Sequence, residues 1–126
     1  MKEFDIGYPH SSATRIIKPD SRSIKNKLIA WGLDESYYDG KRENGYGGFH
    51  YDGRWGTIMP SIIKKYELDD NSSVLDLGCK KGFFLHDLKQ ALPEIKIKGV
   101  ENHYYPIEQA MESVKEDLIL CPYEML

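Results

Sequence analysis

A glycine-bearing turn is the feature of this sequence with the clearest chemical meaning. Residues 74–82 read Val-Leu-Asp-Leu-Gly-Cys-Lys-Lys-Gly, a strand-like run that leads through the turn into a helix-like segment. Gly78 lets the chain turn sharply without a Cβ, and Gly82 lets a ligand approach the backbone closely. The first amides of the following helix offer hydrogen-bond donors and partial positive charge to a carboxylate or phosphate. The segment therefore predicts a ligand-binding turn.

An acidic residue follows one element later. Glu101 comes 19 residues after Gly82 and directly after the strand-like run 95–100. A carboxylate at this point can accept hydrogen bonds from both hydroxyls of a ribose. The turn and the acid together favour a nucleoside-containing cofactor, whereas the same strand, turn and helix also occur in α/β units that bind no ligand.

The elements that must position this turn alternate between helix and strand. Helical spacing of apolar residues begins at Trp55, and Pro60 is expected in the first turn of that helix. The alternation predicts an α/β fold, a doubly wound Rossmann-like parallel sheet, here with only its first three strands. The expected elements are a helix at 55–66, a buried strand at 73–77, a helix at 84–92, a strand at 95–100, a helix opened by Pro106 with the apolar face Ile107, Ala110, Met111 and Val114, and a strand at 118–121.

The first part of the chain is less regular. Residues 1–54 are expected to form an N-terminal extension, and residues 55–126 a partial Rossmann-like domain. Within the extension, only Ser23 to Trp31 has helical periodicity. The apolar face of that helix consists of Ile24, Leu28 and Trp31.

A segment rich in aromatic residues and glycine ends the extension. Between Tyr37 and Trp55, six aromatic residues are interleaved with five glycines, which predicts a long loop. One interpretation is a surface loop that caps the sheet. The favoured one is a lid with glycine hinges that closes over cofactor and acceptor. The candidate lid residues are Tyr46, Tyr51, Arg54 and Trp55.

Composition limits the function classes. The chain has 126 residues, 40% of them hydrophobic, and 17 basic against 20 acidic side chains. The near-balanced charge argues against a nucleic-acid partner. No apolar run is long enough to span a bilayer and no signal peptide is recognisable, so a cytoplasmic protein without a membrane partner is expected. Two cysteines and four histidines without ligand spacing predict neither a disulfide framework nor a metal site.

The glycine turn and the later acid match a known pattern. Val-Leu-Asp-Leu-Gly-Cys-x-x-Gly, followed by Gly-Val-Glu at 99–101, resembles the first two cofactor motifs of class I S-adenosylmethionine-dependent methyltransferases. The resemblance covers roughly residues 55–126 and implies S-adenosyl-L-methionine as cofactor and a small-molecule methyl acceptor. It implies that Asp76 orients the methionine end, that Glu101 holds the ribose and that residues 121–124 lie near the adenine. The implied cofactor-binding residues are Asp76, Gly78, Cys79, Lys80, Gly82, Glu101 and Asn102.

Two departures from the family pattern leave alternatives open. The family has a glycine where this chain has Lys80, whose ammonium must point away from the cofactor or pair with its methionine carboxylate. The two lysines of the turn also suit a more anionic ligand, such as a dinucleotide pyrophosphate, but the turn does not fit the Gly-x-Gly-x-x-Gly fingerprint. The family's sheet has seven strands, and this sequence accounts for three.

The missing strands support a rival to the methyltransferase interpretation. The rival is a truncated or degenerate module that binds a nucleoside or a partner without turnover. A three-strand parallel sheet exposes an edge, which predicts either further strands in a longer protein or a homodimer through that edge. The sequence contains no recognisable catalytic dyad, as expected if the protein mainly aligns the reactants. Cys79 is interpreted as a packing residue because no base is placed beside it.

Overall fold

The helices and strands follow the alternation of the sequence. The computed structural model describes residues 6–14, 16, 18 and 21–126. The extension contains α1 (Ile24–Trp31) and α2 (Glu35–Tyr38). The regular part contains α3 (Arg54–Tyr66), β1 (Ser73–Leu77), α4 (Phe83–Ala91), β2 (Lys96–Glu101), α5 (Tyr104–Glu108) and β3 (Leu118–Leu120), with 3-10 turns at Lys115–Asp117 and Tyr123–Met125.

The three strands form one parallel sheet in the order β1-β2-β3. In the register, Leu77 lies beside Val100, and Gly99 lies beside Leu118. Helical segments connect consecutive strands, as a parallel arrangement requires. The chain is therefore an α/β protein with an open, all-parallel sheet, consistent with a partial Rossmann-like fold.

One face of the sheet carries the core. Val74 of β1 points to this face, where α3 packs against α4 and Leu85 is fully buried. Successive side chains of a strand alternate between the two faces. Leu75 and Leu77 point the opposite way and remain 59% and 60% exposed. The expectation of a buried strand at 73–77 is thus wrong for one face, because the described helices cover only the other.

Two helices differ from their expected form. Pro60 is the seventh residue of α3 rather than part of its first turn. It deprives the Gly56 carbonyl of its usual intrahelical donor, and Gly56 is exposed, so water can replace that donor. The helix expected to open at Pro106 begins two residues earlier, at Tyr104, and ends already at Glu108, because the amide of Met111 donates to the carbonyl of Lys81 at 2.9 Å instead of continuing the helix. The expected apolar face, Ile107, Ala110, Met111 and Val114, nevertheless packs against the core.

The expectation for the aromatic segment is correct only in part. The short helix α2, with Asp34 as its N-cap, extends into the stretch expected to be a loop, since its last two residues are Tyr37 and Tyr38. The helix predicted at 23–31 is present as α1. Its apolar face, however, is exposed in the described structure.

Candidate functional site

The turn between β1 and α4 is built on two glycines in the left-handed region. Gly78 has φ +80° and Gly82 has φ +77°, values that side chains disfavour. A Cβ on Gly82 would lie 2.8 Å from a methyl carbon of Val114, so this position also has no room for a side chain. The amides of Gly78 and Cys79 both donate to the carbonyl of Val100, at 2.8 and 3.2 Å. These bonds fix the turn to the end of β2.

Lys80 occupies the turn in a strained conformation. Its φ of +52° lies in the left-handed region, which costs a non-glycine residue roughly 1–2 kcal/mol. This conformation explains why a glycine suits the position. The Lys80 ammonium donates to the Tyr46 hydroxyl at 2.6 Å and lies 5.0 and 5.4 Å from the ring centroids of Tyr46 and Phe49. The side chain is therefore directed at the aromatic segment.

A cavity of about 560 Å³ lies between the glycine turn and the aromatic segment. Its size is within the range of small-molecule sites. Of the residues singled out from the sequence, seven line it and four do not: Tyr51, Gly82, Glu101 and Asn102 lie outside the lining. The lining residues are Tyr8, Tyr46, Gly48, Phe49, His50, Asp52, Arg54, Trp55, Asp76, Gly78, Cys79, Lys80, Phe83 and Phe84.

Asp76 belongs to strand β1 and also lines the cavity. Burial and the nearby charge of Glu101 raise the pKa of Asp76 above its ordinary value, and the Lys80 ammonium opposes that shift. A partly buried carboxylate gains from a cationic partner. Asp76 can therefore accept hydrogen bonds from a cationic ligand group that enters the cavity.

Glu101 is already engaged by its own chain. It is 3% exposed, and its carboxylate accepts from the amides of Lys80, Asn102 and His103 at 3.2, 2.9 and 3.1 Å. The Nδ1 atom of His103 lies 3.1 Å from the same carboxylate. Glu101 thus holds the turn against the end of β2, while its role in binding a ribose stays a prediction.

The C-terminal 3-10 turn lies beside the same edge of the sheet. The Tyr123 hydroxyl is 3.4 Å from the position that a Cβ on Gly78 would take. Burial and the charge of Glu101 raise the pKa of Tyr123, whereas a hydrogen bond with the Asn102 backbone lowers it. The phenol therefore sits close to both motifs that the sequence analysis assigned to the cofactor.

Sequence reasoning missed a polar network behind the turn. The buried Lys81 ammonium donates to Asp39 at 2.6 Å and to the carbonyl of Phe49 at 3.0 Å. The Tyr105 hydroxyl also donates to Asp39, at 2.7 Å, and the Phe49 amide does so at 2.9 Å. The network joins the extension, the glycine turn and α5. The only sequence signal was the pair of lysines, which does not reveal its acidic partner.

The candidate lid residues are anchored to the rest of the fold. The Tyr51 hydroxyl donates to Asp87 of α4, whose other oxygen accepts from the Gly56 amide at 2.8 Å. Arg54 forms an ion pair with Asp52. Trp55 packs edge-on against Tyr8 and Phe84, with ring centroids 5.4 and 5.3 Å apart. The segment thus covers the cavity, and whether it opens stays a prediction.

Cys79 is a buried wall residue. Burial raises the pKa of its thiol to about 12, and the charges of Asp76 and Glu101 add to the shift. A thiol in this state is a poor nucleophile at neutral pH. The finding agrees with the interpretation of Cys79 as a packing residue.

No protein-family model matches the chain, and no curated protein matches it. Across the described ranges, His, Cys, Asp and Glu side chains form no group of three that could hold a metal ion. No helix in the part of the chain that the structure describes is long and apolar enough to cross a membrane. The site is thus defined by its own residues: a glycine turn, the carboxylate of Asp76 and aromatic walls.

Proposed function

We propose that this chain is an S-adenosylmethionine-binding unit of the methyltransferase type, acting on a small-molecule acceptor. The observation that carries the proposal is the cavity in which Asp76, Gly78 and Lys80 of the turn meet aromatic rings of the extension. The location supports it, because doubly wound sheets bind ligands outside the carboxyl ends of their strands. The motif resemblance supports the choice of cofactor.

The lining suits each charged part of S-adenosylmethionine. Asp76 can accept hydrogen bonds from its ammonium group, and Lys80 can donate to its carboxylate by exchanging the Tyr46 hydroxyl for it. The ring of Trp55, which also lines the cavity, can attract a cation, which fits a sulfonium. When bound, the cofactor supplies a methyl group on a good leaving group.

The chain's own contribution is alignment and exclusion of water. The glycine turn fixes one wall through its bonds to the Val100 carbonyl, and Lys81 and Asp39 hold the aromatic segment opposite. Rigid walls position two reactants for direct displacement without a dedicated acid or base. The acceptor would enter between Trp55 and the turn, both of which line the cavity.

The test is a titration of the intact chain with S-adenosylmethionine, its demethylated product and NAD, by calorimetry. The first two should bind and NAD should not. Asp76→Ala should weaken binding at least tenfold, since losing a hydrogen bond to a charged group costs about 1.5–3 kcal/mol. Glu112→Ala, which removes an exposed acid outside the cavity lining, should bind like the unchanged chain. Tighter binding of NAD, or equal affinities for the two variants, would overturn the proposal.

A second candidate function is a binding module without turnover. The observation that favours it is the engagement of Glu101 by three backbone amides together with the Tyr123 phenol beside Gly78. Both groups stand where the resemblance would put the nucleoside. If the module binds a partner rather than a nucleoside, no measurable affinity for S-adenosylmethionine is expected in the same titration, with the fold intact by circular dichroism.

A further inference from the structure

The sheet face opposite the core is apolar at one end and basic at the other. By the strand register, Leu75, Leu77 and Ile119 point to this face, together with Lys96, Lys98 and Val100. Val100, between Leu77 and Ile119, is buried, whereas the other three apolar side chains and both lysines are exposed; those five exposed residues form the accessible part of the face. These five residues are called the open face below. Parallel sheets normally bury both faces, because their connections place helices on them.

Helix α1 carries an apolar stripe that remains exposed. Ile24, Leu28 and Trp31 recur at helical spacing and are 77%, 57% and 79% exposed. The helix is well defined at its start, since Ser23 and Asn26 form a reciprocal capping box. Its other side is tied to the fold by a 2.9 Å hydrogen bond from Asn26 to Asn44. The stripe is thus directed away from the rest of the described chain.

We infer that these two surfaces bind each other in a pair of copies of this chain, with α1 of each copy on the open face of its partner. In this pairing, the stripe of α1 covers the exposed apolar side chains of the open face, and the open face covers those of the stripe. Contiguous exposed apolar surfaces of this kind mark interaction sites. The pairing differs from association through the sheet edge, because the helix covers the face and leaves the edge hydrogen bonds unused.

The area is sufficient for a specific dimer. Six large apolar side chains take part in each copy; they are 46–79% exposed, and each offers on the order of 100 Å². A reciprocal pair therefore buries up to roughly 1,200 Å² of this apolar surface, which is the lower end of the range of specific protein–protein interfaces. Reciprocal exchange also closes the assembly with two-fold symmetry, so that no copy is left with an unused surface.

Charge sets the direction of the helix on the face. Asp34 and Glu35 follow α1 within four residues and are exposed, whereas Lys25 and Lys27 lie in its first half. The open face carries Lys96 at the start of β2, and Lys98 beside it already pairs with Asp117 at 3.2 Å. Opposite charges meet only if the C-terminal end of α1 lies over Lys96, an orientation that the negative end of the helix dipole also favours.

The first test is the mass of the intact chain in solution, by light scattering and sedimentation over a wide concentration range. The expected species is a dimer of twice 14.6 kDa. Trp31→Asp on the helix and Leu77→Asp on the face should each weaken dimerisation at least tenfold. Met125→Asp, which changes an equally exposed apolar residue outside both surfaces, should leave it unchanged. Circular dichroism checks that each variant folds.

The decisive test mixes the two weakened variants. A mixed pair keeps one intact contact, the unchanged helix of Leu77→Asp on the unchanged face of Trp31→Asp, so the mixture should dimerise better than either variant alone. The charge variant Glu35→Lys should weaken the dimer, and Lys96→Glu in the same chain should restore it. A monomer at every concentration, a dimer insensitive to Trp31→Asp, no gain on mixing, or growth into open chains would each overturn the inference.

Discussion

Two regions of the same sheet differ in the groups that they bury and expose. At the carboxyl end of the strands, polar side chains are partly or fully buried, and in the described chain no buried side-chain nitrogen or oxygen lacks a hydrogen-bond partner. On the open face, large apolar side chains such as Leu75 and Leu77 remain in contact with water. The first region is closed by contacts within one chain, and the second is suited to contacts between chains.

The difference follows from the free-energy cost of burying a polar group and of leaving an apolar group exposed. A buried polar group without a partner costs free energy at once, so Lys81 and Glu101 recruit partners from distant segments of their own chain. An exposed leucine forgoes a stabilisation of about 1.5–3 kcal/mol, which association can supply later. We therefore expect ligand chemistry at the end of the sheet, and the proposed contact with a partner copy on its face.

The largest effect is expected from removing the Lys81 ammonium. Lys81→Met should lower the free energy of unfolding by about 3 kcal/mol, because it leaves the Asp39 carboxylate in a mostly buried place without its cation. Lys89→Met is the matched control, since its 3.6 Å ion pair with Asp117 is more exposed and should contribute less than about 1 kcal/mol. Urea denaturation followed by circular dichroism measures both. Equal losses would mean that the network at the end of the sheet adds no more than a surface pair.

The second-largest effect is expected from acid, which should weaken the hydrogen-bond network around Asp39. Burial alone would raise the pKa of Asp39, but its hydrogen bonds with Lys81, Phe49 and Tyr105 outweigh burial and lower it from 3.8 to about 2. A carboxyl group with a lower pKa in the folded state stabilises the fold above its unfolded pKa and ceases to do so as the pH falls through the folded value. The contribution of Asp39 should therefore be complete above about pH 4 and lost towards about pH 2.

The variant Asp39→Asn isolates this effect. It should be less stable than the unchanged chain at neutral pH, and the gap between the two melting temperatures should narrow between about pH 4 and about pH 2. Thermal unfolding at a series of pH values measures that gap. A constant gap across the acid range would show that Asp39 is not the group that titrates.

The sequence predicted the strands of the sheet but not which segments of the chain pack against them. A short, mostly apolar run that ends before Gly78 predicted the span of β1, Ser73–Leu77, because such runs are typical of buried strands. The run could not predict which face of the strand is covered, since Val74 and Leu75 are both apolar and the pattern carries no information about neighbouring elements. The α5 region was overpredicted for a similar reason: the bond from Met111 to Lys81 joins residues far apart in sequence.

The same limit applies to the site. Asp76, Gly78 and Lys80 were found because they lie in one short motif, and the aromatic segment was found by composition. Asp39 was missed because it is 42 residues from Lys81, and no local pattern marks a partner at that distance. The occupation of Glu101 was missed because its partners are backbone amides, which every residue except proline possesses.

The smallest effect is expected at the tip of the aromatic segment. It concerns the mobility of this segment, which covers the carboxyl end of the sheet. Tyr46 and Phe49 are anchored to Lys80 and Lys81, but Gly47 between them is exposed and has φ +72°. If the segment is a lid, a ligand in the cavity should add contacts on its inner side and slow cleavage between residues 47 and 48 by a broad-specificity protease. The slowing should be modest, because the anchors on both sides already restrain the tip.

A second cleavage site in the same digest supplies the control. The link between α1 and α2 at Gly32 lies outside the cavity lining, so its cleavage should not change when S-adenosylmethionine or its demethylated product is added. Mass spectrometry of the fragments gives both rates from one experiment. Equal protection at the two sites would indicate general stabilisation of the fold, and no protection at residues 47–48 would show that the segment is a fixed wall. Selective protection at residues 47–48 would show that the segment becomes ordered over the bound ligand, as expected of a lid.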